Sequence, residues 1–471
     1  MREFVPPPGS IPTLQVPDLS GLGAVHLIGI GGAGMSGIAR LLLARGVRVA
    51  GSDLKDSRAL TRLRAAGAEV VVGHDAANVG PVDAVVISTA IPAGNPERIE
   101  ADRRGIPVYA RAQIMAAMMG ERLGIAVAGT HGKTTTTSMV AVILERARLD
   151  PTYLIGGDLN ESGSNARSGA GEVFVAEADE SDGSFLLLSP TVAVVTNVEP
   201  DHLDFFADAD EVESAFASFC RRAERVVACV DDPGARRVAA TVAVPVVTYG
   251  SDPSAEVRML DPEPTDGGGQ ARLEADGTAV VVELSIPGRH QLLNAAGAVA
   301  AAREVGVDMA TAAVALRGFT GVQRRFERRG SATGAEFVDD YAHHPTEIAA
   351  TLEAARASDG RRLVAVFQPH RYSRTRAMWR ELGESLAPAD VVVLTDVYGA
   401  GETPEPGITG KLVVDALQEA SPRTRTVYLP HRSEVAGFLA REIREGDLVL
   451  TLGAGDVTSV ADETLGLLRH G

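Results

Sequence analysis

The chain has 471 residues, 45% of them hydrophobic, and a formal net charge of -17 at pH 7. Its length allows two or three ordinary domain cores, and its acidic balance argues against a nucleic-acid-binding protein, because such proteins cluster Lys and Arg. The sequence has neither a signal-peptide pattern nor an apolar run near the roughly 20 residues that span a bilayer, so we expect a cytoplasmic protein without membrane insertion.

The first block of alternating patterns covers residues 21–120. It opens with an apolar strand at residues 24–30, a glycine-rich turn and a helical pattern at residues 35–44. Further short strands are predicted at residues 47–52, 69–72, 83–88 and 106–109. Because strands alternate with helices, we predict a parallel sheet covered on both faces, which is typical of a Rossmann-like domain.

The second block covers residues 121–321 and begins with a strand at 123–128, a glycine loop and a helix at 134–146. Buried strands are predicted at residues 173–177 and 192–196. Between about residues 255 and 286, short alternating segments separated by glycine turns predict β-hairpins added to the side of the sheet. We therefore predict a central α/β domain of the P-loop type with added β-hairpins.

The third block covers residues 322–471 and again alternates strand and helix patterns. Its strands are predicted at residues 336–339, 363–367, 391–395 and 448–452. This pattern predicts a second Rossmann-like unit at the C-terminal end. The predicted fold class is therefore α/β, with three consecutive α/β domains.

A glycine-rich loop links the first predicted strand to the first helix. It reads Gly29-Ile30-Gly31-Gly32-Ala33-Gly34, and Asp53 ends the second strand about 20 residues further on. Glycines here let backbone N–H groups approach a pyrophosphate at a helix N-terminus. NAD, FAD and nucleotide-sugars all carry that group, and a tight turn without a ligand is the remaining alternative. The loop therefore predicts a ligand that carries a diphosphate but does not distinguish among these ligands.

A second glycine loop, Gly129-Thr130-His131-Gly132-Lys133-Thr134, lies between an apolar strand and a threonine-rich helix. Its backbone amides can cradle phosphates, Lys133 can reach the β and γ oxygens, and the Thr134 hydroxyl can bind Mg²⁺. The loop is shorter than the usual P-loop, because Val127 holds the position of the first glycine. The strand–loop–helix placement favours a nucleotide site over a chance match.

Two acidic clusters follow strands of the same block. One spans Glu177 to Asp182, and the other spans Asn197 to Asp204 and includes His202. Ligands of open parallel sheets bind beyond the carboxyl ends of the strands, so both clusters are expected to converge on the nucleotide. Because Mg²⁺ prefers oxygen ligands, a cation site is favoured over solvated acidic loops.

Two segments of the third block combine His, Arg and Tyr after predicted strands. They run from Asp339 to Glu347 and from Gln368 to Arg376. Guanidinium groups bind carboxylates in a forked geometry, and an aromatic wall limits the size of a side chain. The two segments predict a site for a small amino acid, whereas Arg376 fits an exposed surface position better.

The Lys133 loop and both acidic clusters resemble the ATPase domain of the Mur ligase family, as do His290–Asn294 and Gln323–Glu327. The resemblance implies ATP and two Mg²⁺ sites, with Mn²⁺ as an alternative ion. It implies ATP contacts from Gly129, Thr130, His131, Gly132, Lys133, Thr134, Thr135, Asn294, Arg325 and Asp340. It also implies metal ligands at Thr134, Glu177 and His202 and catalytic roles for Lys133, Arg325 and His343.

The first glycine loop and the two third-block segments are similar to those family members that use UDP-N-acetylmuramic acid and L-alanine. The implied nucleotide-sugar contacts are Gly29, Gly31, Gly32, Gly34, Met35, Ser36, Asp53, His74, Ser88, Thr89, Ala90, Asn165 and Arg167. The implied contacts to alanine are Tyr341, His343, His370, Arg371 and Arg374. The match covers about residues 20 to 460 and omits the proline-rich head.

The resemblance implies that ATP activates the muramyl carboxylate as an acyl phosphate, which the amine of alanine then attacks. His343 is our candidate acceptor of the amine proton, because histidine titrates near neutrality. The alternatives are a ligase that recycles whole muropeptides, an NAD-dependent oxidoreductase and a non-enzymatic ATP-binding regulator. We expect a monomer or a weak homodimer.

Overall fold

The structure is a computed structural model that describes residues 16–203, 205–265, 267–357 and 360–470. Three β-sheets follow one another along the chain, with five, ten and six strands among these residues. Asp204 of the second acidic cluster and Asp266 of the predicted hairpins lie outside the described residues, as does most of the proline-rich head. The predicted fold class of three consecutive α/β units is confirmed.

The first sheet is parallel throughout and has the strand order β3-β2-β1-β4-β5. Its strands are β1 (Ala24–Ile28), β2 (Arg48–Asp53), β3 (Glu69–Val72), β4 (Ala84–Ile87) and β5 (Val108–Ala110). Its helices are α1 (Ala33–Ala44), α2 (Arg58–Ala65), α3 (Pro96–Arg104) and α4 (Arg111–Gly120). Helix α3 shows how the sequence sets such bounds: the Asn95 side chain caps its first turn, and Gly105 ends it at a φ of 66°.

The second sheet has the order β15-β14-β13-β12-β11-β10-β6-β9-β7-β8. Its strands are β6 (Leu123–Ala128), β7 (Thr152–Leu159), β8 (Ser164–Arg167), β9 (Val173–Glu177), β10 (Val192–Val195), β11 (Arg225–Cys229), β12 (Val246–Gly250), β13 (Val257–Thr265), β14 (Gly268–Ala275) and β15 (Thr278–Leu284). Its helices are α5 (Lys133–Arg146), α6 (Ala209–Cys220), α7 (Pro233–Ala239), α8 (Arg289–Arg303) and α9 (Met309–Leu316). The antiparallel strands β13, β14 and β15 extend one side of the parallel core, as predicted.

The third sheet has the order β16-β17-β21-β18-β19-β20, and only the β16–β17 pair is antiparallel among its described strands. Its strands are β16 (Glu327–Ala332), β17 (Ala335–Asp340), β18 (Leu363–Phe367), β19 (Val391–Leu394), β20 (Arg425–Tyr428) and β21 (Leu448–Leu452). Its helices are α10 (Pro345–Ala357), α11 (Tyr372–Ser385), α12 (Gly410–Ala420), α13 (Val435–Glu442) and α14 (Ser459–His470).

Helix α5 is buried from Thr134 to Leu144, so it lies inside the central unit. Two hydroxyls bond within the helix: Thr137 donates to the carbonyl of Lys133 and Ser138 donates to the carbonyl of Thr134, both at 2.7 Å. A helix buried on all sides cannot move without disturbing the core, so the loop at its N-terminus has a rigid support. None of the helices in the described part of the chain is long and apolar enough to cross a membrane.

Candidate functional site

The carboxyl edge of the first sheet gathers loops that are distant in sequence. The first glycine loop follows β1, and its Gly31 N–H donates to the carboxylate of Asp53, at the end of β2, at 2.9 Å. The Ser88-Thr89-Ala90 turn follows β4, and the next residue, Ile91, lies against Gly29. Parallel strands point their carboxyl ends the same way, so these predicted contacts share one edge.

His74 reaches this edge through a buried polar network around Glu97. The Nδ1 atom of His74 lies 2.9 Å from the Ser52 hydroxyl, which donates to Glu97. His26 and Asn78 also contact the Glu97 carboxylate, at 3.1 and 2.6 Å. Burial alone raises the pKa of Glu97, but the hydrogen bonds from His26, Ser52 and Asn78 outweigh it and lower the pKa to about 2.

The charged form of Glu97 should therefore stabilise the first sheet. A pKa lowered from 4.5 to about 2 corresponds to roughly 3 kcal/mol, present above pH 4.5 and lost as the pH falls through about 2. We expect hydrogen-exchange protection of β1 and β2, corrected for intrinsic rates, to fall between pH 4.5 and 2.5. In Glu97→Gln, the protection of β1 and β2 should be lower at pH 4.5 and should not change down to pH 2.5. If the protection of the wild-type protein does not change over that range, the stabilising role of the Glu97 charge is contradicted.

Four predicted nucleotide-sugar contacts have other surroundings in the structure. Met35 and Ser36 are buried in the first turn of α1, where the Ser36 hydroxyl donates to the carbonyl of Ala33 at 3.0 Å. Asn165 and Arg167, which we expected on a loop, belong to strand β8. Asn165 still approaches the first loop and donates to the carbonyl of Ala33 at 2.6 Å.

Arg167 is held by two ion pairs. Its guanidinium pairs with Glu145 at 2.9 Å and with Asp150 at 2.6 Å. Glu145 lies in the last turn of α5, twelve residues after Lys133 and therefore roughly 18 Å further along the helix axis. The Arg167 guanidinium therefore lies far from the Lys133 loop, and its contact to the nucleotide-sugar stays a prediction.

Lys133 is held at the centre of the second glycine loop. Its Nζ donates to the carbonyl of Gly129 at 2.6 Å and to Glu180 at 2.9 Å. Burial lowers the pKa of Lys133, but Glu180, Asp179 and Glu177 outweigh burial and raise it, so the ammonium stays charged. Asn294, at the start of α8, lies directly against Gly132 of the same loop.

The predicted metal ligands surround this lysine. Glu177 ends β9 and accepts the Gly156 N–H at 3.0 Å, and Thr134 is buried in the first turn of α5. His202 has a φ of 54°, and its Nε2 lies 3.8 Å from Glu180. One hydroxyl, one imidazole and adjoining carboxylates suit a hard divalent cation beside phosphates, so the donor set fits Mg²⁺.

His131 of the same loop points toward the third sheet. Its ring nitrogens lie 3.5 Å from Glu199 and 3.4 Å from Glu347, and its ring lies 4.5 Å from that of His344. Burial lowers the pKa of His131, but the neighbouring carboxylates of Glu199 and Glu347 outweigh it and raise the pKa to about 9. The loop thus contacts the third unit through a charged cluster.

Arg325 enters the site from the junction before the third sheet. Its guanidinium lies 3.6 Å from Glu347 and over the ring of Tyr341 at 5.1 Å. Asp340 braces this junction, because its two oxygens accept the N–H groups of Phe326 and Ala342 at 2.8 and 2.7 Å. Burial raises the pKa of Asp340 to about 6, and its oxygens are already engaged.

His343 differs from our expectation of titration near neutrality. Burial first, and then the positive charge of Arg374, lower the pKa of His343 well below its ordinary value. Its Nδ1 lies 3.0 Å from the carbonyl of Tyr341 and 3.3 Å from Glu347. The neutral ring therefore donates through Nδ1 and keeps the lone pair on Nε2.

A pocket lies between the loop after β10 and the start of α11. It is lined by Asp201, His202, Leu203, Arg371, Ser373, Arg374, Arg376, Ala377 and Met378. Arg374 crosses from the third unit and donates through Nε and Nη2 to Asp201 at 3.1 to 3.2 Å. Both side chains are buried, so this ion pair joins the second and third units inside the site. His370 lies beside it, stacked on Tyr398.

Several residues in these contacts were absent from our predicted site. They are Glu180, Asp201, Glu199, Glu347 and Arg111. The first four belong to acidic clusters or histidine segments that we had singled out, so the charge pattern was the available signal. Arg111 had no such signal in the sequence. Its guanidinium covers Gly34. Burial raises the pKa of Asp179, but the charges of Lys133 and then Arg111 outweigh burial and lower that pKa.

Family models match three successive ranges of the chain. They are the Mur ligase family catalytic domain over residues 24–122, the Mur ligase middle domain over residues 127–302, and the Mur ligase glutamate ligase domain over residues 324–455. Together these ranges cover most of the chain and follow the three sheets in order.

Curated relatives are similar over nearly the full length. The UDP-N-acetylmuramate–L-alanine ligase of Kineococcus radiotolerans is 51% identical over 95% of this chain and 97% of its own. The ligase of the same name from Saccharopolyspora erythraea is 50% identical over 94% and 92%.

Solved structures are similar as well. The UDP-N-acetylmuramate–alanine ligase of Thermotoga maritima has a TM-score of 0.82 at 29% identity, covering 95% of this chain and 99% of that one. A murein peptide ligase from Psychrobacter arcticus has a TM-score of 0.70 at 27% identity, covering 94% and 98%.

Proposed function

The chain belongs to the Mur ligase family, and we propose that it joins L-alanine to UDP-N-acetylmuramic acid in an ATP-dependent ligation that serves peptidoglycan synthesis. One observation carries this proposal: the Lys133 loop lies close to the histidine and arginine segments of the third sheet, and the Asp201–Arg374 ion pair joins the two units there. The matched ranges support domain boundaries at 21–120, 121–321 and 322–471.

In the first step the muramyl carboxylate attacks the γ-phosphorus of ATP, which forms an acyl phosphate and releases ADP. Lys133, in the second glycine loop, and Arg325, at the junction before the third sheet, are largely buried cations, and their charge offsets the negative charge that spreads over the transferring phosphoryl oxygens. Thr134, Glu177 and His202 would hold Mg²⁺ at two sites, which would supply further neutralisation of the phosphate charge.

In the second step the amine of alanine attacks the acyl carbon, and phosphate leaves. The Arg371 and Arg374 side chains, which line the pocket, bind the alanine carboxylate. Tyr341, whose ring lies 5.3 Å from that of His343, limits the side chain of the amino acid. His343 is neutral because its pKa is lowered by burial, so its Nε2 lone pair is available to accept the amine proton as the bond forms.

Two alternatives are less well supported. In an NAD-dependent oxidoreductase, Asp53 would bind a ribose, but its carboxylate accepts the Gly31 N–H, and the Lys133 loop would have no role. A muropeptide-recycling ligase shares the fold, as the Psychrobacter arcticus enzyme indicates, but that structure is 27% identical, whereas the curated alanine ligases are about half identical.

The direct experiment measures ADP release by the purified protein with ATP, Mg²⁺ and UDP-N-acetylmuramic acid while each amino acid is added in turn. Strong stimulation by L-alanine alone supports the proposal. Stimulation by a tripeptide and by no free amino acid would assign the chain to the recycling ligases, and a failure to turn over ATP under all conditions would exclude a ligase.

Arg111 is a further candidate contact for the diphosphate, because its guanidinium covers the first glycine loop at Gly34. Removing one charge-assisted hydrogen bond to a phosphate costs about 1.5–3 kcal/mol, so Arg111→Ala should raise the KM for UDP-N-acetylmuramic acid about 10-fold or more. The KM for alanine should not change. Arg103→Ala, which removes an exposed arginine of α3, is the matched control, and an equal effect in both variants would refute the assignment.

A further inference from the structure

A cluster of three potential metal ligands lies beside the Lys133 loop but is separate from the proposed Mg²⁺ ligands. His131, Glu199 and His344 each offer one donor atom, and these atoms lie within 4.8 Å of one another. Glu199 is central: its Oε2 lies 3.5 Å from His131 Nε2 and 3.7 Å from His344 Nδ1. Donor atoms of a tetrahedral zinc site are roughly 3.3 Å apart, given metal–ligand distances of about 2.0–2.1 Å.

The two histidines carry unused coordination capacity. The Nε2 atoms of His131 and His344 are both buried and have no hydrogen-bond partner among the described residues. The side chains of His131 and His344 are only 10% and 6% exposed, so solvent does not satisfy these nitrogens. A buried polar atom without a partner is costly, and an ion between His131 Nε2 and the Glu199 carboxylate would remove that cost for His131.

The surroundings hold the three side chains in place. The Nδ1 atom of His131 faces Glu347 at 3.4 Å, the carboxylate–histidine arrangement that orients an imidazole toward a metal. The backbone of His131 is fixed by Asn197, whose side-chain oxygen accepts its N–H at 2.7 Å. The Thr346 hydroxyl donates to Glu199 Oε2, also at 2.7 Å, so the carboxylate is oriented as well.

We propose that His131, Glu199 and His344 form a binding site for a borderline-soft divalent ion of the Zn²⁺ class that joins the second unit to the third. Two imidazoles and one carboxylate suit Zn²⁺ or Co²⁺ rather than Mg²⁺, which prefers oxygen ligands alone. His131 and Glu199 belong to loops of the second sheet, whereas His344 immediately precedes α10 of the third. The bound ion therefore fixes these two units in the docked arrangement.

The test follows the binding of the ion itself and needs neither ATP nor alanine, so its failure is distinguishable from a failure of the proposed ligase activity.

The test titrates Co²⁺ into the untagged, chelator-treated full-length chain and follows the visible absorption bands of the ion, with Zn²⁺ as the competitor. We expect one site per chain whose bands are intense, as in four- or five-coordinate Co²⁺, and which Zn²⁺ displaces. His344→Ala should weaken this binding at least 100-fold. Glu199→Gln, which keeps the side-chain volume, should weaken Co²⁺ binding at least 10-fold. This variant tests the site even if His344→Ala does not fold.

Two histidine variants are the controls. His431→Asn replaces an exposed histidine of the third unit and should leave the titration unchanged. His202→Asn removes a proposed Mg²⁺ ligand and should also keep the intense bands. Equal Co²⁺ binding in wild type and Glu199→Gln, or loss of the bands in His202→Asn alone, would overturn the proposal.

Discussion

Replacement of Lys133 by alanine is expected to abolish detectable ligation, with ADP release reduced at least about 10³-fold. The ammonium is the cation of the phosphate loop and is held between the Gly129 carbonyl and Glu180. Without this ammonium, the negative charge that develops on the phosphoryl oxygens in the transition state would lack its nearest stabilising cation. The measurement is the initial rate of ADP formation with saturating ATP, UDP-N-acetylmuramic acid and L-alanine.

A loss of activity could also arise from misfolding, because the substitution leaves the buried Glu180 without its partner. Breaking a buried ion pair in this way costs about 3–5 kcal/mol. The double variant Lys133→Ala with Glu180→Gln removes the unpaired charge, so it should recover thermal stability but not turnover. Lys411→Ala, at an exposed lysine of α12, is the matched control. Recovery of turnover in the double variant would contradict the assigned role.

Replacement of Arg374 by alanine is expected to lower kcat/KM for alanine by about 10²–10³-fold. The guanidinium is buried against Asp201, and removing one partner of a buried pair costs about 3–5 kcal/mol. The variant loses both a proposed contact to the alanine carboxylate and the link between the second and third units. Steady-state kinetics with varied alanine concentration measure the loss of the alanine contact. The rate of limited trypsin cleavage between the second and third units measures the loss of the link.

Asp201→Asn separates the two contributions of Arg374, because it weakens the link between the units but leaves the guanidinium in the pocket. We expect a smaller fall in kcat/KM than for Arg374→Ala, together with faster cleavage. Arg380→Ala, at an exposed arginine of α11 that does not line the pocket, is the matched control. Equal kinetics for Arg374→Ala and Arg380→Ala would remove Arg374 from the site.

The Asp201 link should not vary with pH in the usual assay range. Burial raises the pKa of Asp201, but Arg374 outweighs burial and holds the pKa far below its ordinary value. Its contribution to docking is therefore present above the unfolded pKa of about 3.9 and is lost only as the pH falls through the lower folded value. A change in docking between pH 5 and 8 must come from other groups.

Most of the secondary structure near the site was predictable because its signals are local. Strand β6 and the start of α5 follow from an apolar run, a glycine loop and a threonine-rich helix. The strands β7 and β8 were missed. Their residues mix polar and glycine positions, and β8 is a short antiparallel strand whose pairing with β7 contains a register shift. Such a strand is stabilised by pairing with its neighbour, and its own sequence has too little apolar alternation to predict it.

The positions of the site loops were also predictable, for a geometric reason. The Lys133 loop and both acidic clusters follow β6, β9 and β10, and these strands are neighbours in the order β10-β6-β9. The sequence specifies which residues follow each strand, and parallel pairing then carries those residues to one edge of the sheet. Residue type and the position of each loop after its strand thus predicted that the candidate site loops share one edge, and the strand order of the structure shows them on neighbouring strands.

The partners and the electrostatics of these residues depended on the tertiary structure. Asp201 and Arg374 are 173 residues apart, and His131 meets Glu347 and His344 only because the third unit docks on the second. Burial keeps His343 neutral, whereas hydrogen bonds from His26, Ser52 and Asn78 outweigh burial and keep Glu97 charged, although both are ordinary titratable residues in the sequence. Local sequence encodes backbone preference and chemical type, whereas desolvation and charge pairing are set by side chains that arrive from distant elements.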